Sequence, residues 1–326
     1  MMRILVCHRD SGSQKLVGRL SAASPQFDWL ESLPGQTIGP LDGIDTVIAV
    51  GLVRRQDMER GTFGFIQTVG TGYDNVDLAA ATELGIWVSN MPASRTGNAE
   101  SVAEHAILLM LALSRQLSAA QAALREHRWA QPVGLALYGK RACLVGLGDV
   151  GAALADRLYA FQMQLIATRR NPSKGGPPFV RVIEAGGLRE AVRTADYVIV
   201  CARPAEDTHH LIDAAMLAAF PKGAVLINIA RGSLVDHDAL LAALESGHLR
   251  GAGLDVFWEE PVDPAHPLFA LPNVIATPHI AGVTDVNMAQ TLRLVAENLN
   301  RYARGEVPEF LVNRPLSQRK TKCQLA

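Results

Sequence analysis

The sequence predicts an α/β protein built on parallel sheets, and three observations carry that expectation. The first is a strand–turn–helix unit between Arg141 and Gly151, RACLVGLGDVG, in which the apolar run 142–145 enters a turn with glycines at 146, 148 and 151. The second is the alternation of short apolar runs with helix-like connections along most of the chain, the pattern of a parallel sheet covered on both faces. The third is length: 326 residues favour two domains over one.

Residues 4–7, 46–50, 65–69 and 86–89 are short apolar runs and read as strands. Between the last two, DNVDLAAATELG reads as a helix, with Asp74 or Asn75 as its cap and Gly85 as its stop. Asn90-Met91-Pro92 breaks the pattern. Residues 96–115 are the longest helical candidate, with Thr96 or Asn98 as cap. Val102, Ala106, Ile107, Leu109, Met110 and Leu113 cover much of its circumference, so it is expected to lie buried between layers. Its adjacent Glu104 and His105 point to different faces, which suits polar contacts at a domain seam better than a metal.

Residues 116–139 read as a connector. Past the glycine turn, 164–168 is the second strand of that unit, 171–178 (NPSKGGPP) a loop, 188–194 a short helix and 197–201 a strand. Residues 213–220 are helical and 221–223 a turn; 225–229 is a buried strand that delivers Ala230 and Arg231 at its end. Asp236 caps a helix that runs through Leu244 and closes at Gly247. Residues 253–256 and 274–277 are further strands and 286–302 a last helix; the polar tail 318–326 is expected to be loose.

Composition narrows the function classes. Hydrophobic residues make up 48% and charged residues 19%, enough to bury a sizeable core. A net charge of −1 gives no footing for nucleic acid or an anionic membrane. No apolar run reaches bilayer length, and the chain opens on a strand-like run rather than a signal-peptide core. Cys7, Cys143, Cys201 and Cys323 lie scattered without C-x-x-C spacing. A cytoplasmic protein with no disulfide framework and no metal site is expected.

The glycine turn suits a dinucleotide. Gly146 lets the chain turn sharply, Gly148 lets a pyrophosphate approach the backbone, and Gly151 lets helix and strand pack closely. The helix N-terminus then offers N–H groups and a positive dipole end to the phosphates. Three polar residues follow later strand-like runs: Arg231 after LINIA, Glu260 in LDVFWEEP and His279 after VIATP. Ligands of open α/β sheets bind beyond the carboxyl ends of the strands, so three such residues can converge. Arginine presents a planar fork that matches a carboxylate, and histidine exchanges protons near neutral pH. A carboxylate beside the imidazole orients it and favours its charged form; on the residues alone Glu259 serves as well as Glu260. Such a trio suits reduction of a 2-keto acid. Arginine would hold the carboxylate and polarise the carbonyl, and histidine would protonate the oxygen as hydride arrives.

The chain resembles the D-isomer-specific 2-hydroxyacid dehydrogenases along nearly its whole length. The matching pieces, in order, are VGTGYDNVDLAAATELGIWVSN, NAESVAEHAILLMLALSR, GKRACLVGLGDVG, INIARGSLVD, GAGLDVFWEEP and TPHIAG. The resemblance implies two Rossmann-like domains with a cleft between them. Residues 96–285 would bind the dinucleotide, and residues 1–95 with 286–326 would form a discontinuous substrate domain. It implies a nicotinamide-dependent enzyme, usually a homodimer. It implies that Arg231 binds substrate, His279 is the acid–base and Glu260 supports it; formate dehydrogenases of the family use glutamine in that place. Thr71 resembles the threonine that meets the cofactor. Gly70 and Gly72, with Val50 and Gly51, resemble the loops whose N–H groups hold the substrate carboxylate. Asp149 and Val150 match the pair beneath the pyrophosphate, and Asp255 matches the aspartate near the nicotinamide amide. Cys201, Ala202 and Arg203 correspond to the stretch lining the adenosine pocket, with its usual proline displaced to Pro204. Ile229, Ala230 and Gly282 fall in matched pieces that border the cofactor.

The departure that matters is at the ribose. NAD-specific members end the second strand with an aspartate about 20 residues past the glycine turn. Here Arg169 stands there, 18 residues after Gly151, with Thr168 before it and Arg170 after. Two guanidinium groups and a hydroxyl suit a 2′-phosphate, so NADP(H) is expected ahead of NAD. The expected substrate is a small 2-keto acid such as glyoxylate or hydroxypyruvate. Two alternatives stay open on sequence: a corepressor-like, nucleotide-sensing scaffold that keeps the same trio, and NAD(P)-dependent phosphite oxidation on the same frame.

Overall fold

The computed structural model describes residues 1–8, 14–32 and 41–325. It divides into two compact units, Met1–Gly97 with Asp285–Ala326, and Asn98–Thr284. Each is an α/β unit on its own parallel sheet, of five and seven strands respectively.

In the first unit the elements run β1 (Arg3–Cys7), α1 (Gln14–Ala23), β2 (Asp28–Glu31), β3 (Thr46–Ala49), α2 (Arg55–Arg60), β4 (Phe65–Thr68), α3 (Leu78–Glu83), β5 (Trp87–Ser89) and α4 (Ala93–Thr96). The strands pair in the order β2-β1-β3-β4-β5, every pair parallel. Period-two alternation sends Leu5, Cys7, Val47, Ala49 and Ile66 to one core and Ile4, Val6, Ile48 and Phe65 to the other. The sequence reading missed β2, a four-residue edge strand, DWLE, that carries no apolar run, and the short polar α2, RQDMER. It also misplaced a cap. Asp77, not Asp74 or Asn75, accepts from the Ala80 N–H and starts α3, and Gly85 follows that helix at φ +75°.

In the second unit come α5 (Asn98–Ser114), α6 (Leu117–Arg125), β6 (Arg141–Val145), α7 (Asp149–Ala160), β7 (Gln164–Arg169), β8 (Val180–Glu184), α8 (Leu188–Val192), β9 (Tyr197–Val200), α9 (Ala214–Leu217), β10 (Val225–Asn228), α10 (His237–Glu245), β11 (Gly251–Leu254) and β12 (Val274–Ala276). The parallel order is β12-β11-β10-β9-β6-β7-β8, so the strand order reverses at β6, the strand that feeds the glycine turn. Leu144, Ile199 and Ile227 face a core shared with α5 and α7, and Val145, Val198, Val200 and Leu226 face a core with α8, α9 and α10.

The helix expected over 96–115 is split. Gly97 takes a left-handed φ of +76° and closes α4, so Thr96 belongs to α4 and α5 begins at Asn98. Glu104 pairs with Arg157 and His105 bonds Thr277, partners that lie in the same unit. The connector contains a helix, α6. No single helix among the described residues is long and apolar enough to cross a membrane.

The chain then returns to the first unit with α11 (Asp285–Ala303) and α12 (Lys322–Leu325). Leu294, Val295, Leu299 and Tyr302 of α11 pack with Val17 and Leu20 of α1 on one face of the first sheet. The tail is docked, contrary to the sequence expectation. Arg319 donates to the carbonyls of Met58, Gly61 and Leu84, its own N–H donates to Gly85 O, and Thr321 is buried beside the Tyr302 hydroxyl. A guanidinium with several donors can satisfy carbonyls at the ends of α2 and α3 at once, a role that polarity alone does not reveal.

All four thiols are free. Burial pushes Cys7 and Cys323 up to about 11 and Cys143 and Cys201 up to about 12. The thiolate is the nucleophile, and at pH 8 it is about one part in a thousand or less of each. Iodoacetamide at pH 8 is therefore expected to label the native protein at least tenfold more slowly than the urea-unfolded chain, read by mass spectrometry. Equal rates would mean that these thiols are not shielded.

Candidate active site

The nucleotide turn is built by contacts that only glycine allows. Gly146 sits at φ +102°, and a Cβ there would meet Ala202 Cα and N at 2.9 Å. A Cβ on Gly151 would meet Gly146 O at 2.5 Å, so the first turn of α7 rides against the strand exit. At Gly148 a Cβ would meet nothing within 4 Å. That open space lies at the N-terminus of a 12-residue helix, with Asp149 and Val150 in its first turn. The three glycines thus do different work: two are required by packing, and the third leaves room for a ligand. Residues 201–203 border the turn, with Cys201 donating its N–H to Val145 O.

At the end of β7, Thr168 is buried, and its hydroxyl accepts the Gly146 N–H at 3.2 Å. Thr168 thus holds the glycine turn, and its hydroxyl keeps a proton to donate. Arg169 donates to Gly175 O at 2.6 Å, and Arg170 forms an exposed pair with Asp207 at 3.0 Å. Such an exposed pair holds its arginine only weakly.

Arg231, Glu260 and His279 follow three neighbouring strands. Parallel register places Asn228, Leu254 and Ala276 abreast at the ends of β10, β11 and β12. Just beyond them come Ile229, Ala230 and Arg231, then Asp255, then His279. Asn228 is buried and shapes the first of these exits: it accepts from Ala230 N at 3.1 Å and donates to Arg231 O at 2.9 Å. Arg231 also donates to Ala230 O at 2.8 Å. Gly232 then passes against the next loop so closely that a Cβ would lie 1.9 Å from Phe257 C and O.

That next loop bends back over four residues. Glu260 Oε1 accepts from the Phe257 N–H at 3.1 Å, and Oε2 meets His279 Nδ1 at 2.7 Å. The side chains are 22% and 34% exposed, so Glu260 is not a solvated loop residue and His279 is not a core histidine. The backbone of His279 is left-handed, φ +53°, and its N–H donates to Asp255 O at 2.8 Å. Asp255 is 1% exposed; it accepts from Thr277 Oγ1 at 2.6 Å, Ile280 N at 2.9 Å and Ala281 N at 2.8 Å. His105 Nε2 caps the same Thr277 hydroxyl at 2.8 Å. One buried carboxylate therefore sets the loop from 277 to 281, which runs on to Gly282. Asn228, Thr277 and His105 were missed as site residues in the sequence; the strand-end Asn, two residues before Ala230, was the one readable signal.

In the first unit, Val50 and Gly51 follow β3, and Gly70, Thr71 and Gly72 follow β4. The N–H groups of Val50 and Gly51 both donate to Cys7 O, at 3.1 and 2.8 Å. This corrects the expectation that these two amides hold a carboxylate, because a donor bonded within the sheet is not available. Asn75 donates to the carbonyls of Ala49, Val50 and Gly51, and Asn90 donates to Thr71 O at 2.7 Å.

Residues 107–281 match the NAD-binding domain of D-isomer-specific 2-hydroxyacid dehydrogenases. A glyoxylate reductase from Korarchaeum cryptofilum is 36% identical over 251 residues, 74% of this chain and 74% of that protein. This chain belongs to the D-isomer-specific 2-hydroxyacid dehydrogenase family. The same family likeness extends to a D-3-phosphoglycerate dehydrogenase from Mycobacterium tuberculosis, 38% identical over 76% of this chain but only 46% of that protein. Among solved structures, an NADPH-dependent glyoxylate/hydroxypyruvate reductase from Sinorhizobium meliloti superposes with a TM-score of 0.84 at 31% identity, covering 98% of this chain and 100% of that one. The chain is thus an oxidoreductase of this family with a nicotinamide-dinucleotide domain.

Proposed function

We propose that this dehydrogenase uses NADPH to reduce a small 2-keto acid of the glyoxylate or hydroxypyruvate type. The observation that carries the reading is the 2.7 Å contact between His279 Nδ1 and Glu260, on loops that follow adjacent strands beside Arg231. Glu260 fixes the imidazole through Nδ1, which leaves Nε2 as the edge that gives a proton. Arg231 pairs with the substrate carboxylate and draws electron density from the carbonyl. When bound, the nicotinamide supplies the hydride; with the proton from His279 this converts the carbonyl into an alcohol. Asp255 acts behind the loop, holding 277–281 in place.

The cofactor fits the residues present. The open space at Gly148 and the N–H groups at the start of α7 receive the pyrophosphate, with Asp149 and Val150 beneath it. Cys201, Ala202 and Arg203, with Ile229, Ala230 and Gly282, border the dinucleotide, and Thr71 is a further proposed cofactor contact. Arg169 ends β7, Arg170 follows it, and no carboxylate ends that strand to receive a 2′-hydroxyl, which supports a 2′-phosphate there. The NADPH dependence named for the Sinorhizobium relative supports this choice.

Gly70 and Gly72, on the loop after β4, are further donors proposed for the substrate carboxylate. Two copies of the chain associate in the cytoplasm: Leu108, Leu117, Leu124, Trp129, Val133 and Tyr138 are exposed apolar side chains within one stretch of the second unit.

Initial rates over a panel of 2-keto acids with NADPH and with NADH test the proposal. Glyoxylate or hydroxypyruvate with NADPH is expected to give the highest kcat/KM; a preference for NADH, or turnover confined to a phosphorylated substrate, would overturn it. In Arg169→Asp the NADPH-to-NADH ratio of kcat/KM falls by about 100-fold, because a charge-assisted contact becomes a repulsion.

A further inference from the structure

Two buried-side amides stand behind the loops of the first unit. Asn75 donates Nδ2 to three successive carbonyls, Ala49 O at 3.1 Å, Val50 O at 3.4 Å and Gly51 O at 2.8 Å. Its own carbonyl accepts the Val53 N–H at 2.8 Å, so one residue grips the loop after β3 by side chain and backbone. Asn90, 6% exposed, donates to Thr71 O at 2.7 Å, while Thr68 Oγ1 and Met91 N hold Gly70 O at 3.1 and 3.0 Å.

A trans peptide is planar, and its C=O and N–H point in opposite directions. Pinning the Gly51 carbonyl toward Asn75 therefore aims the Leu52 N–H the other way. Pinning the Thr71 carbonyl toward Asn90 aims the Gly72 N–H likewise. Neither of those N–H groups donates to an acceptor within the described chain. In the same loop Val53 N donates to Asn75 O and Arg54 N to the Asp57 carboxylate, so every neighbouring donor is engaged except Leu52 N.

We infer that Asn75 and Asn90 are positioning residues that aim the backbone donors of Leu52 and Gly72 at the substrate carboxylate. This rests on the keto-acid reading above and deepens it. The amides touch no substrate; they act by fixing two peptide planes whose donors then need no reorientation when an anion arrives. Asn is required because the carbonyls demand a donor. Asp has the same shape and, ionised, presents only acceptors.

The test is Asn75→Asp, assayed with glyoxylate and NADPH beside the unmutated enzyme. The expected result is a KM for glyoxylate raised at least ~10-fold, with the NADPH Kd within twofold and kcat lowered less than KM is raised. Inhibition by oxamate, a carboxylate analogue, weakens in parallel. A KM within twofold of the unmutated enzyme, or equal losses in NADPH and glyoxylate affinity, would overturn the inference. If Asn75→Asp melts more than 10 °C low, Asn90→Asp, which alters a single contact, decides by the same criteria. No turnover of any keto acid by the unmutated enzyme would instead remove the functional reading, and this inference with it.

Discussion

His279→Asn is expected to lower kcat by about 10²–10⁴-fold while leaving the NADPH Kd within a few-fold. The replacement is chosen for the backbone. His279 sits at φ +53°, and Asn is among the few residues that adopt that conformation at little cost. Ala or Leu there would add strain and blur the result. The His279 N–H still reaches Asp255 O, and the Asp255 carboxylate still holds Ile280 and Ala281, so the loop is retained. What is lost is a group able to give a proton at neutral pH. Glu260→Gln should cost less, because a glutamine oxygen can still accept from Nδ1–H. The measurements are steady-state rates and cofactor fluorescence titration. If His279→Asn kept turnover within threefold, the proton would have to come from elsewhere.

How much of this was legible in the sequence depends on what each residue does. Strands with apolar runs, such as β3 and β10, and the glycine turn were read correctly because burial and packing leave a mark at fixed spacing. The edge strand β2 left none, and α2 and the docked tail are held by polar contacts that look like ordinary surface. The same split runs through the site. Arg231, Glu260 and His279 stand out as polar residues at the ends of apolar strands. The groups behind them do not: Asn228, Thr277, Asn75 and Asn90 act by satisfying particular carbonyls or N–H groups, and which ones is decided only when the chain has folded. Val50 and Gly51 make the point in reverse. The family resemblance implied open donors there, yet both N–H groups close onto Cys7 O because β1 lies alongside.

Gly232→Ala is the second substitution with a large expected effect, and it tests whether the reactive trio depends on one close backbone approach. The added methyl carbon would lie 1.9 Å from Phe257 C and O and 2.4 Å from Trp258 N. These are backbone atoms, so no rotamer change relieves the overlap; the Arg231 exit and the 257–260 loop must move apart. A loss of about 3 kcal/mol or more of stability is expected, at the upper end for overpacking. Activity should fall further than stability explains. Phe257 N donates to Glu260 Oε1, so displacing Phe257 moves the carboxylate that orients His279, while Arg231 shifts in the opposite sense. A misplacement of about 1 Å costs about 100-fold in kcat/KM, and that loss should persist at temperatures where circular dichroism reports the variant folded. A stable Gly232→Ala with normal kcat/KM would mean that the two loops can separate without disturbing the trio, and that the arginine and the histidine–glutamate pair do not act as one assembly.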